Sequence, residues 1–173
     1  GFKEVEALLE GTAIQAKVSA NRILTPKRLS DLTDQRIDLQ VLSINQYWWY
    51  EADRELAANV VRLHDTKLKE WCDRYPDQFV ALSSVALQFP ELAADQLEYA
   101  VKELGFKGAS VGGHVNGTIP SSDFFDPFWR RAEALDVPVF IHPGGAANLI
   151  EEGALEGRGD LKNIVGNPLE TTV

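Results

Sequence analysis

Along this chain, runs of consecutive apolar residues alternate with stretches in which apolar residues return every three or four positions. "IDLQVLSI" (37–44) is rich in aliphatic and β-branched residues and reads as a buried strand. "DRELAANVVRLHDTKLKEWCDRYP" (53–76) places Leu56, Val60, Leu63, Lys67 or Leu68, and Trp71 at helical spacing, with Asp53 as N-cap and Pro76 closing the segment. "FVALSSVAL" (79–87) predicts the next strand, and "PELAADQLEYAVKELG" (90–105) a helix with Pro in its first turn and Gly at its end. "FKGASVGG" (106–113) is a weaker, Gly-bearing strand. "SSDFFDPFWRRAEALD" (121–136) predicts a helix in its second half, since Pro127 limits how far back it extends. "PVFIH" (138–142) is the last clear strand.

Successive strands start about forty, twenty-seven and thirty-two residues apart, which suits βαβ units. Strands this uniformly apolar are expected to be buried on both faces, as in a parallel sheet with right-handed crossovers. The class is α/β. A doubly wound sheet could be complete at this length, whereas a TIM barrel of about 250 residues would be half present. No G-x-G-x-x-G or G-x-x-x-x-G-K-[ST] loop opens any of the helices, which removes the usual reason to prefer a nucleotide-binding sheet.

Composition narrows the partners more than the fold. The 173 residues are 45% hydrophobic and 25% charged, as in globular domains. A formal charge of −9 argues against nucleic acid, whose phosphates need clustered Lys and Arg. No apolar run approaches the roughly 18–20 residues of a membrane helix. Cys72 is the only cysteine, so there is neither a disulfide framework nor a thiolate metal cluster; within an amphipathic helix it is expected to be buried and inert. "GFKEVEALLE" carries no secretory signal, and a cytoplasmic protein is the expectation.

In either α/β fold, chemistry gathers just past the strand ends. There the chain reads "NQYWWY" (45–50), "QFP" (88–90), "HVNG" (114–117) and "HPGG" (142–145). His142 is either a core imidazole bonded to a neighbouring carbonyl or the visible end of a metal site, with Pro143 fixing the exit of the chain. His114 stands among Gly112, Gly113 and Gly117, in a loop shaped mainly by backbone needs. "YWW" (47–49) is either a substrate-facing aromatic wall or packing between loop and helix. His64, within a helix, reads as a surface residue. Glu151, Glu152 and Glu156 lie in a long Gly-rich stretch (144–163) and read as a solvated face.

"LQVLSI" with its "QYWWY" loop, "RYPDQFVALSSVALQFPELAADQLEYAVKELGFKGASVGGHVNG", "FFDPFWRRAEALDVPVFIHP" and "GNPLETTV" together resemble the amidohydrolase superfamily. The similar branch is the amidohydrolase-2 group, typified by 2-amino-3-carboxymuconate-6-semialdehyde decarboxylase, and the resemblance covers about residues 25–173. It implies a (β/α)₈ TIM barrel in which 37–44, 79–87, 106–113 and 138–142 are strands two to five, so that 1–173 is a single partial barrel domain. It also implies a divalent metal at the C-terminal mouth, zinc in the first instance and manganese as an alternative. The family's ligands are an H-x-H pair, a strand-five His and a strand-eight Asp, with a strand-six His for acid–base chemistry. His142 falls on the strand-five ligand.

This sequence contains no H-x-H, strand-six His or strand-eight Asp. The expectation is therefore a fragment of a longer enzyme, inactive alone, with no catalytic residue assigned and two unpaired sheet edges. Trp48 and His114 are the candidate pocket residues, and Arg22 stands where family substrates are commonly anchored. Gly144 replaces an aromatic residue found in decarboxylases of this branch, which argues against aminocarboxymuconate semialdehyde itself. The implied activity is metal-dependent decarboxylation, a carbon–carbon lyase reaction, of an unsaturated or aromatic carboxylate. The alternatives are a hydrolase or hydratase of the same superfamily, or a non-catalytic α/β binding domain. The expected partners are a small-molecule carboxylate and, for a half-barrel, a second copy in a homodimer, with no nucleic acid and no membrane.

Overall fold

The computed structural model of the chain describes residues 26–44, 48–144, 154 and 162–171. It divides into two compact units, Gly1–Gln40 and Val41–Val173. In the first, helix α1 (Pro26–Asp34) ends where Arg36 enters the left-handed region at φ 57°, letting the Ile37 N–H reach back to the Leu32 carbonyl at 2.9 Å. The Arg28 guanidinium donates to Gln40 Oε1 at 2.7 Å. The sequence pattern did not announce α1, because "PKRLSDLTD" offers too few apolar positions to set a period.

The second unit carries the alternation. Strand β1 (Gln40–Leu42) is followed by α2 (Arg54–Arg74), β2 (Phe79–Ala81), α3 (Pro90–Lys102), β3 (Ala109–Gly112), a 3₁₀ turn (Asp123–Phe125), α4 (Asp126–Leu135) and β4 (Val139–His142). A π-helical turn (Lys162–Gly166) then leads into the short helix α5 (Asn167–Glu170). The predicted stops operate locally. The Asp53 carboxylate accepts the Leu56 N–H at 2.8 Å and starts α2. Prolines open α3 and α4, and Asp136, at φ 52°, ends α4 in the left-handed region.

Spatial order follows chain order. β1 pairs with β2, β3 pairs with β4, and a parallel bridge between Ser83 and Ala109 joins the two pairs. β3 and β4 are parallel, with Ala109 opposite Val139 and Gly112 opposite His142. Gly108 enters β3 so close to its neighbour that a Cβ there would lie 2.0 Å from the Pro138 carbonyl oxygen. The core lies between β3 and helices α3 and α4: Val85, Leu97, Val111, Phe125, Phe128 and Ala132 are buried together. This is the partial α/β barrel expected, strands two to five.

Two expectations need correction. The strands are shorter than the apolar runs, three or four residues each. Nor are all of them buried on both faces, since Val41 in β1 and Phe140 and Ile141 in β4 are exposed. Among the described residues no helix is long and apolar enough to cross a membrane.

Candidate active site at the strand ends

β2 stops early because side chains take over its hydrogen bonds. The Ser110 N–H donates to the Ser83 carbonyl at 2.8 Å, the last backbone bond from β3 on that side. Beyond it, Trp48 Nε1 donates to the Ser110 carbonyl at 2.8 Å, and Tyr50 Oη accepts the Gly112 N–H at 2.9 Å. Two aromatic side chains from the loop after β1 thus satisfy backbone groups that a longer strand would otherwise have to pair. Their rings stack with centroids 6.0 Å apart and planes at 15°. Burial pushes the Tyr50 phenol well above its ordinary pKa, against the smaller opposing effect of the Gly112 N–H, so it stays protonated.

The loop achieves this by turning through Trp49, a bulky residue at φ 56°. Gln88 Nε2 and the Ala52 N–H both donate to the Trp49 carbonyl, at 3.1 and 2.9 Å, and hold the turn. Asn116 Nδ2 donates to the Tyr50 carbonyl at 2.8 Å, which ties the loop after β3 to the same segment. Of the aromatic run, Trp48 is buried against β3 and Trp49 is exposed.

His142 ends β4, half-buried, with its ring 6.0 Å from that of Trp48. Its Nδ1 lies 2.9 Å from the Pro143 carbonyl oxygen. A carbonyl can only accept, so Nδ1 carries the hydrogen, and in the neutral imidazole Nε2 then keeps the lone pair with which a histidine binds a metal. The bond to a neighbouring carbonyl is compatible with both readings of His142, a core imidazole and a metal ligand. Among the described residues no group of three or more His, Cys, Asp or Glu side chains comes together, so one prospective ligand is present there.

His114 is turned the other way. Its Nδ1 accepts the Gly117 N–H at 3.3 Å, and its Nε2 lies 3.9 Å from Glu170 Oε1. The Glu170 side chain is 1% exposed, and its Oε2 accepts the Gly144 N–H at 2.7 Å. Gly113 is what makes room for it, since a Cβ there would stand 2.3 Å from Glu170 Oε1. Spacing in the sequence attributed these glycines to the backbone and gave Glu170 no part.

One further expectation changes. His64 is not a plain surface residue: half-buried, it meets Ser84 Oγ through Nδ1 at 3.0 Å, and burial lowers its pKa. Its neighbour Asp65 is buried, accepting from Ser83 Oγ at 2.6 Å. Burial raises its carboxyl to about 7, against the opposing bonds from Ser83 and the Ser84 backbone. The Cys72 thiol, half-buried, is pushed up by burial, in keeping with an inert cysteine. Arg22, Asn45, Gln46, Glu151, Glu152 and Glu156 lie outside the described residues.

The comparisons agree with one another. Residues 27–171 match the family model described as Amidohydrolase. The chain is 35% identical over 131 residues to gamma-resorcylate decarboxylase of Rhizobium radiobacter, covering 67% of this chain and 40% of that protein. It is 28% identical over 117 residues to 2-amino-3-carboxymuconate-6-semialdehyde decarboxylase of Dictyostelium discoideum, covering 67% and 33%. The crystal structure of 5-carboxyvanillate decarboxylase from Novosphingobium aromaticivorans, with bound manganese and 3-methoxy-4-hydroxy-5-nitrobenzoic acid, superposes with a TM-score of 0.73 at 27% identity, over 80% of this chain and 40% of that one. The chain thus spans about 40% of the length of such relatives.

Proposed function

This chain belongs to the amidohydrolase family, and on that premise we propose that the intact polypeptide carrying it is a metal-dependent decarboxylase of a small aromatic carboxylate. The observation that supports this reading most directly is His142, at the C-terminal end of β4, with Nδ1 committed to the Pro143 carbonyl and the Nε2 lone pair of the neutral ring left for a metal beside Trp48. His142 would hold a divalent cation together with ligands outside the described residues, and the cation, when bound, would orient the carboxylate substrate and polarise its oxygens. Manganese in the carboxyvanillate decarboxylase structure favours manganese over zinc here.

The remaining work falls to side chains. Trp48, pinned by its bond to the Ser110 carbonyl, offers a rigid apolar edge against which an aromatic ring can lie. His114 keeps the loop after β3 in place at the rim. Arg22 is kept as the anchor for the substrate's carboxylate. In the reaction the bond between ring carbon and carboxyl carbon breaks, carbon dioxide leaves, and the ring carbon takes up a proton. The single half-buried thiol suits a cytoplasmic setting.

The test is to supply the intact polypeptide with manganese and assay 2,6-dihydroxybenzoate and 5-carboxyvanillate for carbon dioxide release. Stoichiometric release with formation of the decarboxylated phenol is expected. Hydration or ring hydrolysis without carbon dioxide would transfer the protein to the hydratase or hydrolase reading.

A further inference from the structure

The carbonyl that orients His142 and the N–H that Glu170 holds belong to the same peptide group. Pro143 contributes the C=O, which accepts from His142 Nδ1 at 2.9 Å, and Gly144 contributes the N–H, which donates to Glu170 Oε2 at 2.7 Å. A peptide group is planar and resists twisting, so fixing its N–H end fixes the direction of its C=O end. We propose that Glu170 is the positioning residue for His142, acting through the Pro143–Gly144 peptide plane. This deepens, and rests on, the reading of His142 as a metal ligand.

The arrangement is a carboxylate–imidazole couple with one peptide inserted between its two members. In metal sites, a carboxylate or carbonyl on the second ring nitrogen sets the tautomer and raises the ligand's basicity. Here a carboxylate accepts from the N–H end of the amide, which polarises the amide and makes its carbonyl a better acceptor for the imidazole N–H. The slot around Glu170 is shaped for this purpose. Gly113 leaves room where any Cβ would collide with the carboxylate, His114 faces Oε1 at 3.9 Å, and the side chain is 1% exposed. A carboxylate does not occupy such a place without partners. Because Gly113 and His114 follow β3 while Gly144 follows β4, one side chain also sets the separation of the two strand exits.

The experiment is a titration of the metal-free intact polypeptide with manganese alone, bound ion being read by electron paramagnetic resonance, for the natural protein and four variants. His142→Ala is expected to abolish tight binding. Glu170→Ala should weaken it about tenfold or more. Glu170→Gln, which keeps the volume and an oxygen for the Gly144 N–H, should bind within about threefold of the natural protein. Gly113→Ala should reproduce the tenfold loss by displacing an intact Glu170, and it decides the matter if Glu170→Ala fails to fold. Glu170→Ala or Gly113→Ala with unchanged affinity, alongside a His142→Ala variant that has lost the metal, would overturn the positioning role and leave the ligand reading standing. Unchanged affinity in His142→Ala would overturn both.

Discussion

β3 and β4 are the same length, parallel and in register, yet they sit in opposite environments. Every residue of β3 is buried, whereas in β4 Phe140 is 52% and Ile141 40% exposed. β3 has backbone or aromatic partners on both sides and α3 and α4 packed against it. β4 has β3 on one side and, among the described residues, no strand on the other. An apolar run marks a strand suited to being covered on both faces, and its neighbours decide whether it is. The sharpest way to break this contrast is a pair of truncations in the 173-residue chain, followed by urea denaturation. Phe128→Ala, in the core against β3, should cost about 3–5 kcal/mol, and Phe140→Ala less than about 1 kcal/mol. In the intact polypeptide the second value should rise toward the first if further strands cover β4. Equal costs in the 173-residue chain would mean that β4 is covered there too.

The covered side of the sheet also contains a charge cost at Asp65. Asp65 lies against Ser83 at the end of β2, with its carboxyl raised from 3.8 to about 7 by burial and its Oδ1 without a hydrogen-bond partner among the described residues. The folded state therefore holds this proton more tightly than the unfolded chain does. Below about pH 4 the group is protonated in both states and costs nothing. As pH rises from about 4 to 7 the unfolded chain ionises first and stability falls; above about 7 the full cost is present. The ceiling is ~4 kcal/mol, at about 1.4 kcal/mol for each pH unit between the two values. Asp65→Asn should flatten that slope, measured as denaturation midpoints at pH 4.5, 6 and 7.5. A slope unchanged in the variant would assign the pH dependence elsewhere.

How far the sequence carried follows from the same contrast. Helix ends were legible where they depend on one residue and its neighbours: Asp53 capping α2, Pro90 opening α3 and Pro127 limiting α4. Strand positions were legible as apolar runs, but their lengths were not. A run says that residues are buried, and at 82–87 they are buried without being strand, because Trp48 and Tyr50 reach across 62 positions to take the ladder's place. His142 stood out as a candidate ligand only through resemblance, since its carbonyl bond suits either role. Glu170 was not readable at all, because its partners lie 26 and 56 residues away and Gly113 enters only by lacking a side chain.

The smallest expected effect tests whether those two aromatics act as a substitute strand. Trp48→Phe keeps most of the apolar volume and removes the indole donor to the buried Ser110 carbonyl; Tyr50→Phe keeps the ring and removes the hydroxyl acceptor for the buried Gly112 N–H. Each leaves a polar backbone group short of its side-chain partner and should cost about 1–3 kcal/mol in denaturant titration. If the pair merely packs, both variants should fall within about 0.5 kcal/mol of the natural chain. If the pair replaces a strand, amide exchange should also separate the two: Gly112, whose N–H depends on the Tyr50 oxygen, should exchange faster in Tyr50→Phe and little changed in Trp48→Phe. The N–H of Gly113, on the β4 side and bonded to the His142 carbonyl at 3.1 Å, should be protected alike in both. Faster exchange at Gly113 as well would mean that loosening one edge of β3 releases the other, so that the aromatic loop supports the strand carrying His142 as well as its own.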